Sequence, residues 1–298
     1  MTRGAPILAV VGDLVEDIVV WASEKLRHAT DTAAEVFRTR GGSGANVAAL
    51  AAPLVSTRFI GCVGDDAAGD VLQSALAQSG VDVRVQRRGR SGAVVLLVDA
   101  TGERTMFPDR GAAALLGPVD VDWLDGVGWL HAPSYGFERQ PMCGSLVRLV
   151  IDARERGVVV SIDASSTGLL ASLGVDEYVE LVQTLGVDVF LANEDEAALL
   201  GISHGGAPAA RLATRVVVKH GPNPTEVFDD GVLVARVEVE PVAVVRDLIG
   251  AGDAFAAGFI AASIDGASVS DACLAGHARA AVVLGGPGTS EIPIVNPG

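Results

Sequence analysis

Positive charge is what this chain of 298 residues has least of: Lys and Arg together number 22 against 37 Asp and Glu. The formal net charge of −15 argues against a nucleic-acid partner and against an anionic membrane surface. Lysine occurs only at Lys25, before Leu26, and at Lys219, before His220, so a phosphate loop ending in Gly-Lys-Ser or Gly-Lys-Thr is excluded. Cysteine is sparse too. Cys62, Cys143 and Cys273 lie far apart without C-x-x-C spacing and read as reduced core thiols of a cytoplasmic protein. The five histidines spell no H-E-x-x-H zinc site, and Gly12 stands alone where a dinucleotide fingerprint needs three glycines. Aromatics make up 4%, which leaves a core of Val, Leu, Ala and Ile, as suits buried parallel strands. No apolar run reaches the roughly 18 residues of a membrane-spanning helix. The first residues lack a basic-then-apolar leader, and no fixed-period repeat is visible. A soluble cytoplasmic protein with no membrane partner is expected.

What the chain has in quantity is hydrophobic residues, 49%, arranged as short unbroken runs that alternate with helix-like stretches. Ile7 to Val11, Thr57 to Val63, Val158 to Asp163, Val187 to Ala192 and Arg215 to Lys219 read as strands buried on both faces. Helices are predicted over 47–52, 67–78, 141–156, 175–185, 254–264 and 271–284. Repeated βα units imply a mostly parallel sheet with helices on both faces. Between Val81 and Pro108 the pattern turns hairpin-like, with Ala93 to Val98 and Arg104 to Phe107 flanking a turn at 99–103. With the region 18–40 this predicts a small β-flap over a site on the main sheet, a lid that excludes water.

The stretch that carries most chemistry is DLIGAGDAFAAGFI, residues 247–260. Gly250-Ala251-Gly252-Asp253 is a glycine turn leading into a helix, and a helix N-terminus with unpaired N–H groups receives phosphate readily. A carboxylate beside a phosphate cradle makes sense if it takes a proton from a hydroxyl that attacks phosphorus. The plain alternative for Asp253 is an N-cap residue. A second glycine turn, Gly41-Gly42-Ser43-Gly44-Ala45-Asn46, opens another helix with an amide in its first turn, which suits a neutral hydroxylated ligand. Asp13 and Asp17 follow the first strand, where α/β sheets bind ligands, or else simply solvate a turn. Asn193 and Glu196 fit a magnesium site served through water, or a helix capping box.

GGSGANVAAL from Gly41, NEDE at 193–196 and DLIGAGDAFAAGFI occur in the order and spacing of the ribokinase-like (PfkB) carbohydrate kinases. VVGDLVEDIVV and GCVGDDAAGD also resemble that family, so the similarity spans essentially the whole chain. It implies one ribokinase-like α/β domain over 1–298: a three-layer sandwich with a mostly parallel sheet and a β-lid contributed by 18–40 and 87–110. It implies an ATP- and magnesium-dependent sugar kinase with Asp253 as base and the N–H groups of Gly250, Ala251, Gly252 and Asp253 as anion hole. Asp13, Asp17, Gly42 and Asn46 would hold sugar hydroxyls. Asn193, Glu196, Lys219, Gly221 and His277 would serve the nucleotide, with Glu196 reaching magnesium through water. Asp247, Ile249, Gly288 and Ser290 match the family's monovalent-cation site, where K+ would sit. The alternatives are a nucleoside kinase of the same family, with Trp21, Phe37 and Phe107 as the aromatics nearest the flap, or a non-catalytic sugar sensor. A sugar-acid acceptor would need a cation, for which Arg104 and Arg110 are available, though both are expected on the exposed flap. Four positions depart from the pattern: Val15 for a sugar-binding Asn, Ser43 for the Lys of GGKGAN, Leu248 for Thr and His277 for Asn. The first two argue against ribose itself. A homodimer paired through the lid is expected, on the apolar face at Val94 to Val98.

Overall fold

The structure, a computed structural model of the chain, describes residues 5–22, 24–99, 104–243, 245 and 248–285. The first half of the chain runs β1 (Ile7–Val11), β2 (Val15–Ala22), β3 (Ala34–Gly41), α1 (Ser43–Ala51), β4 (Thr57–Val63), α2 (Ala67–Gln78), β5 (Asp82–Arg87), β6 (Ala93–Val98) and β7 (Arg104–Asp109). It continues with β8 (Val127–Pro133), α3 (Met142–Glu155), β9 (Val159–Asp163), α4 (Thr167–Leu173), α5 (Val175–Leu185) and β10 (Val189–Asn193). The last third holds α6 (Glu194–Leu199), α7 (Gly206–Leu212), β11 (Arg215–His220), β12 (Asn223–Asp229), β13 (Val232–Val237), α8 (Ala251–Ile264) and α9 (Val269–Gly285).

Nine strands form one sheet in the order β13-β12-β11-β10-β9-β8-β1-β4-β5. The seven from β11 to β5 are parallel, and β12 and β13 close one edge as an antiparallel hairpin. The short apolar runs become strands because both of their faces are covered. On β1, Ala9 and Val11 enter the core layer with α3, α5 and α7, while Leu8 and Val10 enter the layer with α1, α2, α8 and α9. Phe190 and Leu191 divide the same way on β10. The result is a three-layer α/β sandwich. No helix among the described residues is long and apolar enough to cross a membrane.

A second sheet of four strands, β3-β2-β6-β7, pairs β2 with β6 in parallel and the outer strands antiparallel. Val19, Leu96 and Val98 line one of its faces and pack with Ile249, so this sheet lies against the segment that enters α8. The expected turn at 99–103 falls, beyond Asp99, outside the described residues. Asp82 to Arg87 does not belong to this sheet: it pairs in parallel with β4 as the edge of the main one. Its alternation of Val83 and Val85 with polar residues imitates a hairpin strand, because an edge strand has only one covered face.

Two helices begin earlier than their apolar residues predict. α1 starts at Ser43, with Gly42 as its N-cap at φ 97°, and α8 starts at Ala251, with Gly250 as its N-cap at φ 78°. Asp253 is therefore the third residue of α8, not an N-cap.

Candidate active site

In the main sheet the chain runs from β1 outward to β4 on one side and returns to β8 on the other. Crevices at such reversals, at the C-terminal ends of the strands, are where open α/β sheets take ligands. Asp13 follows β1 there, Tyr135 follows β8, Asp163 ends β9, Asn193 ends β10 and Lys219 lies near the end of β11. Cα pairing sets Asn193 opposite Lys219, and Asp163 opposite both Leu191 and Pro133. Over this edge the N-termini of α1 and α8 meet. α1 reaches it because Gly44 packs on Gly12, where an added Cβ would lie 2.9 Å from the Gly12 Cα.

Asp253 stands at this junction. The Ser43 hydroxyl donates to its Oδ1 at 2.6 Å and the Asn46 amide donates to its Oδ2 at 3.1 Å. Burial pushes its pKa up to about 6, against the lowering effect of those two bonds. Among the described residues no side chain caps the first turn of α8, and Ala251 N–H reaches only the Leu248 carbonyl at 3.3 Å. The N–H groups of Gly252 and Asp253 have no carbonyl one turn earlier in the helix to bond. Gly252 is exposed, and the nearest atom to a Cβ built there is the Lys219 Nζ at 3.7 Å. A small, open, positively polarised turn beside an ammonium group is a cradle for phosphate oxygens.

Lys219 is held in that place by Asp163, at 2.9 Å, and lies 5.9 Å from the centre of the Phe255 ring. Burial, the largest single influence, would lower its pKa, but Asp163 together with Glu196 and Asp253 raises it on balance, so the cation persists at neutral pH. Asn193 and Glu196 form a reciprocal capping box: Glu196 N–H donates to Asn193 Oδ1 at 2.9 Å and Asn193 N–H to Glu196 Oε2 at 2.8 Å. Glu196 is 3% exposed, and burial, reinforced by Asp163, pushes its pKa to about 7. Its place in the box does not remove it from the cleft, whose lining it shares with Asn193, Lys219 and Gly221. That cleft, about 730 Å³, continues to His277, Thr225, Val245 and Leu284. His277 bonds Thr225 Oγ1 through Nε2 at 2.8 Å and leans on Phe255 with ring centres 5.4 Å apart. Gly221, at φ 59°, has open space where a side chain would be.

The expected sugar-side residues are close by, and two of them, Asp13 and Asn46, are already engaged. Asp17 is 9% exposed and its carboxylate fills the space beside Gly41. Its pKa is pushed to about 7 by burial, with Arg40 opposing and Asp253 reinforcing the rise. Asn46 accepts from Arg40 Nη1 at 3.1 Å while donating to Asp253. Asp13 is held by Arg110 through two bonds, Nε to Oδ2 at 2.7 Å and Nη2 to Oδ1 at 2.6 Å. Arg110 is thus no exposed flap residue: its side chain is 10% exposed and also meets Glu138 at 2.9 Å. The Arg104 side chain, Asp247, Gly288 and Ser290 lie outside the described residues, so of the expected cation site only Ile249 is seen, against Val19, Leu96 and Val98. Among the described residues no group of three or more His, Cys, Asp or Glu is arranged to hold a metal ion. Gly201-Ile202-Ser203-His204-Gly205 spells the G-x-S-x-G of a nucleophile elbow but follows helix α6, not the strand such an elbow needs.

The family model described as pfkB family carbohydrate kinase matches residues 7–295. The chain belongs to that family. It is 34% identical over 260 residues to an ATP-dependent ribose-1-phosphate kinase of Halopiger xanaduensis, covering 85% of this chain and 83% of that one. To a fructokinase of Klebsiella pneumoniae it is 31% identical, covering 85% and 82%. Arabidopsis thaliana ribokinase, solved with ribose and ATP, superposes with a TM-score of 0.80 at 26% identity over 96% of this chain and 94% of that one. Adenosine kinase of Sinorhizobium meliloti shares the fold with a TM-score of 0.85 at 22% identity over 97% of both chains. This pfkB-family kinase is a phosphotransferase with a ribokinase-like fold. The cleft is also lined by Ser43, Tyr135 and Asp163, and Arg40 bonds Asn46 beside it; the motifs alone single out none of these four as site residues. Asp163 carries a readable signal, an acid at the end of a buried strand like Asn193; the other three do not.

Proposed function

We propose that this kinase transfers the γ-phosphoryl group of ATP to a hydroxymethyl group of a small carbohydrate, with Asp253 as general base. The observation that carries the reading is Asp253 itself: a carboxylate in the first turn of α8, in one cleft with Lys219 and with the N-terminus of that helix. A base is most useful when its pKa lies near but below the working pH, and Asp253 has about 6. Asp253 takes the proton from the acceptor hydroxyl, and the Gly252 and Asp253 N–H groups with Lys219 absorb the charge that builds on the transferring oxygens. Asn193 and Glu196 are the groups that would organise magnesium, which keeps most of its waters and needs few protein ligands. ATP supplies the phosphoryl group, and the open space at Gly221 and Gly252 is compatible with phosphates lying over both. His277 and Thr225 would bound the adenine. The four-stranded sheet is proposed as the lid, and its Val19, Leu96 and Val98 keep water from the acceptor.

Asp253→Asn is expected to lower kcat at least about 100-fold in a protein that remains folded by circular dichroism. Near-normal turnover removes Asp253 from the mechanism. The acceptor is sought by coupled ADP release with D-ribose, D-fructose, ribose 1-phosphate and adenosine, each of which offers a hydroxymethyl group. Saturable binding without turnover of any acceptor would make the protein a sensor.

A further inference from the structure

We propose that Ser43 is a positioning residue for the base: with Asn46, whose amide is turned by Arg40, it clamps both oxygens of Asp253 and aims the carboxylate at the acceptor. This rests on Asp253 being the base. The direction of every bond in the clamp follows from chemistry. Arg40 can only donate, so Asn46 must present Oδ1 to it at 3.1 Å and is left with Nδ2 facing Asp253 Oδ2 at 3.1 Å. The ionised carboxylate can only accept, so the Ser43 hydroxyl, 2.6 Å from Oδ1, is its donor. Of the roughly four lone-pair directions of a carboxylate two are used, and the rest stay open to an incoming O–H.

The clamp is a tertiary device. Ser43 and Asn46 belong to the first turn of α1 and Asp253 to the first turn of α8, so the positive ends of two helices meet at one carboxylate. Two donors that approach opposite oxygens leave the group no free rotation, whereas one would leave it a hinge. Other charged or titratable groups that act on Asp253 are Asp163 from β9, Lys219 from β11, Asp17 from β2, Arg40 from β3 and Tyr135 after β8. None of them changes when Ser43 does. Hydrogen bonds to the charged form lower a carboxyl pKa, and Ser43 makes the shorter of the two bonds.

The test is a pH titration of the substrate-free protein carrying aspartate labelled with 13C at the side-chain carboxyl, with the Asp253 signal assigned by its loss in Asp253→Asn. The parent is expected to titrate at about 6. Ser43→Ala should raise that midpoint by about one pH unit, and Ser43→Thr, which keeps the hydroxyl, should restore it. With MgATP and the fastest acceptor of the four named above, Ser43→Ala should lose kcat increasingly as pH falls, about tenfold below pH 6, with an unchanged KM for ATP. An unmoved midpoint in Ser43→Ala, alongside an inactive Asp253→Asn, overturns the clamp alone. Full turnover by Asp253→Asn overturns the base and with it the clamp's part in catalysis.

Discussion

Among the described residues Asp17 has no oppositely charged partner at bonding distance, yet it is 9% exposed and shares its surroundings with the Asp253 carboxylate. Burial therefore dominates, and its pKa of about 7 lies above the ordinary carboxylate range. The folded state holds that proton more tightly than the unfolded chain does. The group's contribution to stability is thus most favourable at low pH and is lost as pH rises from about 4 to about 7. Asp17→Asn cannot ionise and should raise the thermal unfolding midpoint at pH 8, with the gain closing as pH falls toward 4. Scanning calorimetry across that range checks the sign; a variant less stable at pH 8 than the parent would show that Arg40 compensates the charge fully. Asp253 and Glu196, raised by burial to about 6 and about 7, add to the same trend. The kinase retains these unfavourable carboxylates where its proposed chemistry needs them.

At the scale of elements, the site depends on how closely α1 approaches β1. Gly44→Ala would bring a Cβ within 2.9 Å of the Gly12 Cα, and backbone on both sides leaves little room to yield. The expected cost is about 1–3 kcal/mol in urea unfolding, as for other overpacked contacts. A drop of about 10- to 100-fold in kcat should accompany it, because Ser43 and Asn46 move with the helix. The elements differ in how well they could be read from sequence. β1, β4, β10 and β11 are covered on both faces and so are written as unbroken apolar runs. β3 is not: Ala34 to Arg38 are exposed, so no alternation marks the strand. β5 alternates because it is an edge, and edge and flap strands look alike until the pairing is known. The glycines that open α1 and α8 announce both ligand-side turns, but they also hide the first residues of each helix, since Gly and Ser are poor helix formers. Arg40 and Ser43 were illegible as site residues for another reason. Ser43 meets Asp253 across 210 positions of sequence, and no local pattern encodes that.

For the whole molecule, the four-stranded sheet has a second face to account for. Its inner face holds Val19, Leu96 and Val98, so the alternation of strands puts Ile18, Val20, Val36, Val95, Leu97 and Phe107 on the other. Val36 is 58% exposed and Phe107 55%. A dimer through Val94 to Val98 would therefore use the face at Val95 and Leu97. Light scattering at micromolar concentration should give twice the chain mass, and Val36→Glu should shift it to the monomer; a monomeric parent rules the pairing out. In a chain of charge −15, Lys219 and the α8 N-terminus are the positive groups of the cleft on which the proposed nucleotide binding relies.

The meeting of α1 with α8 has a consequence for biosynthesis. A ribosome delivers Ser43 and Asn46 early and Asp253 late, with most of the main sheet emerging between them. A nascent chain can therefore form its first βα units, but the proposed base meets Ser43 and Asn46 only once α8 docks.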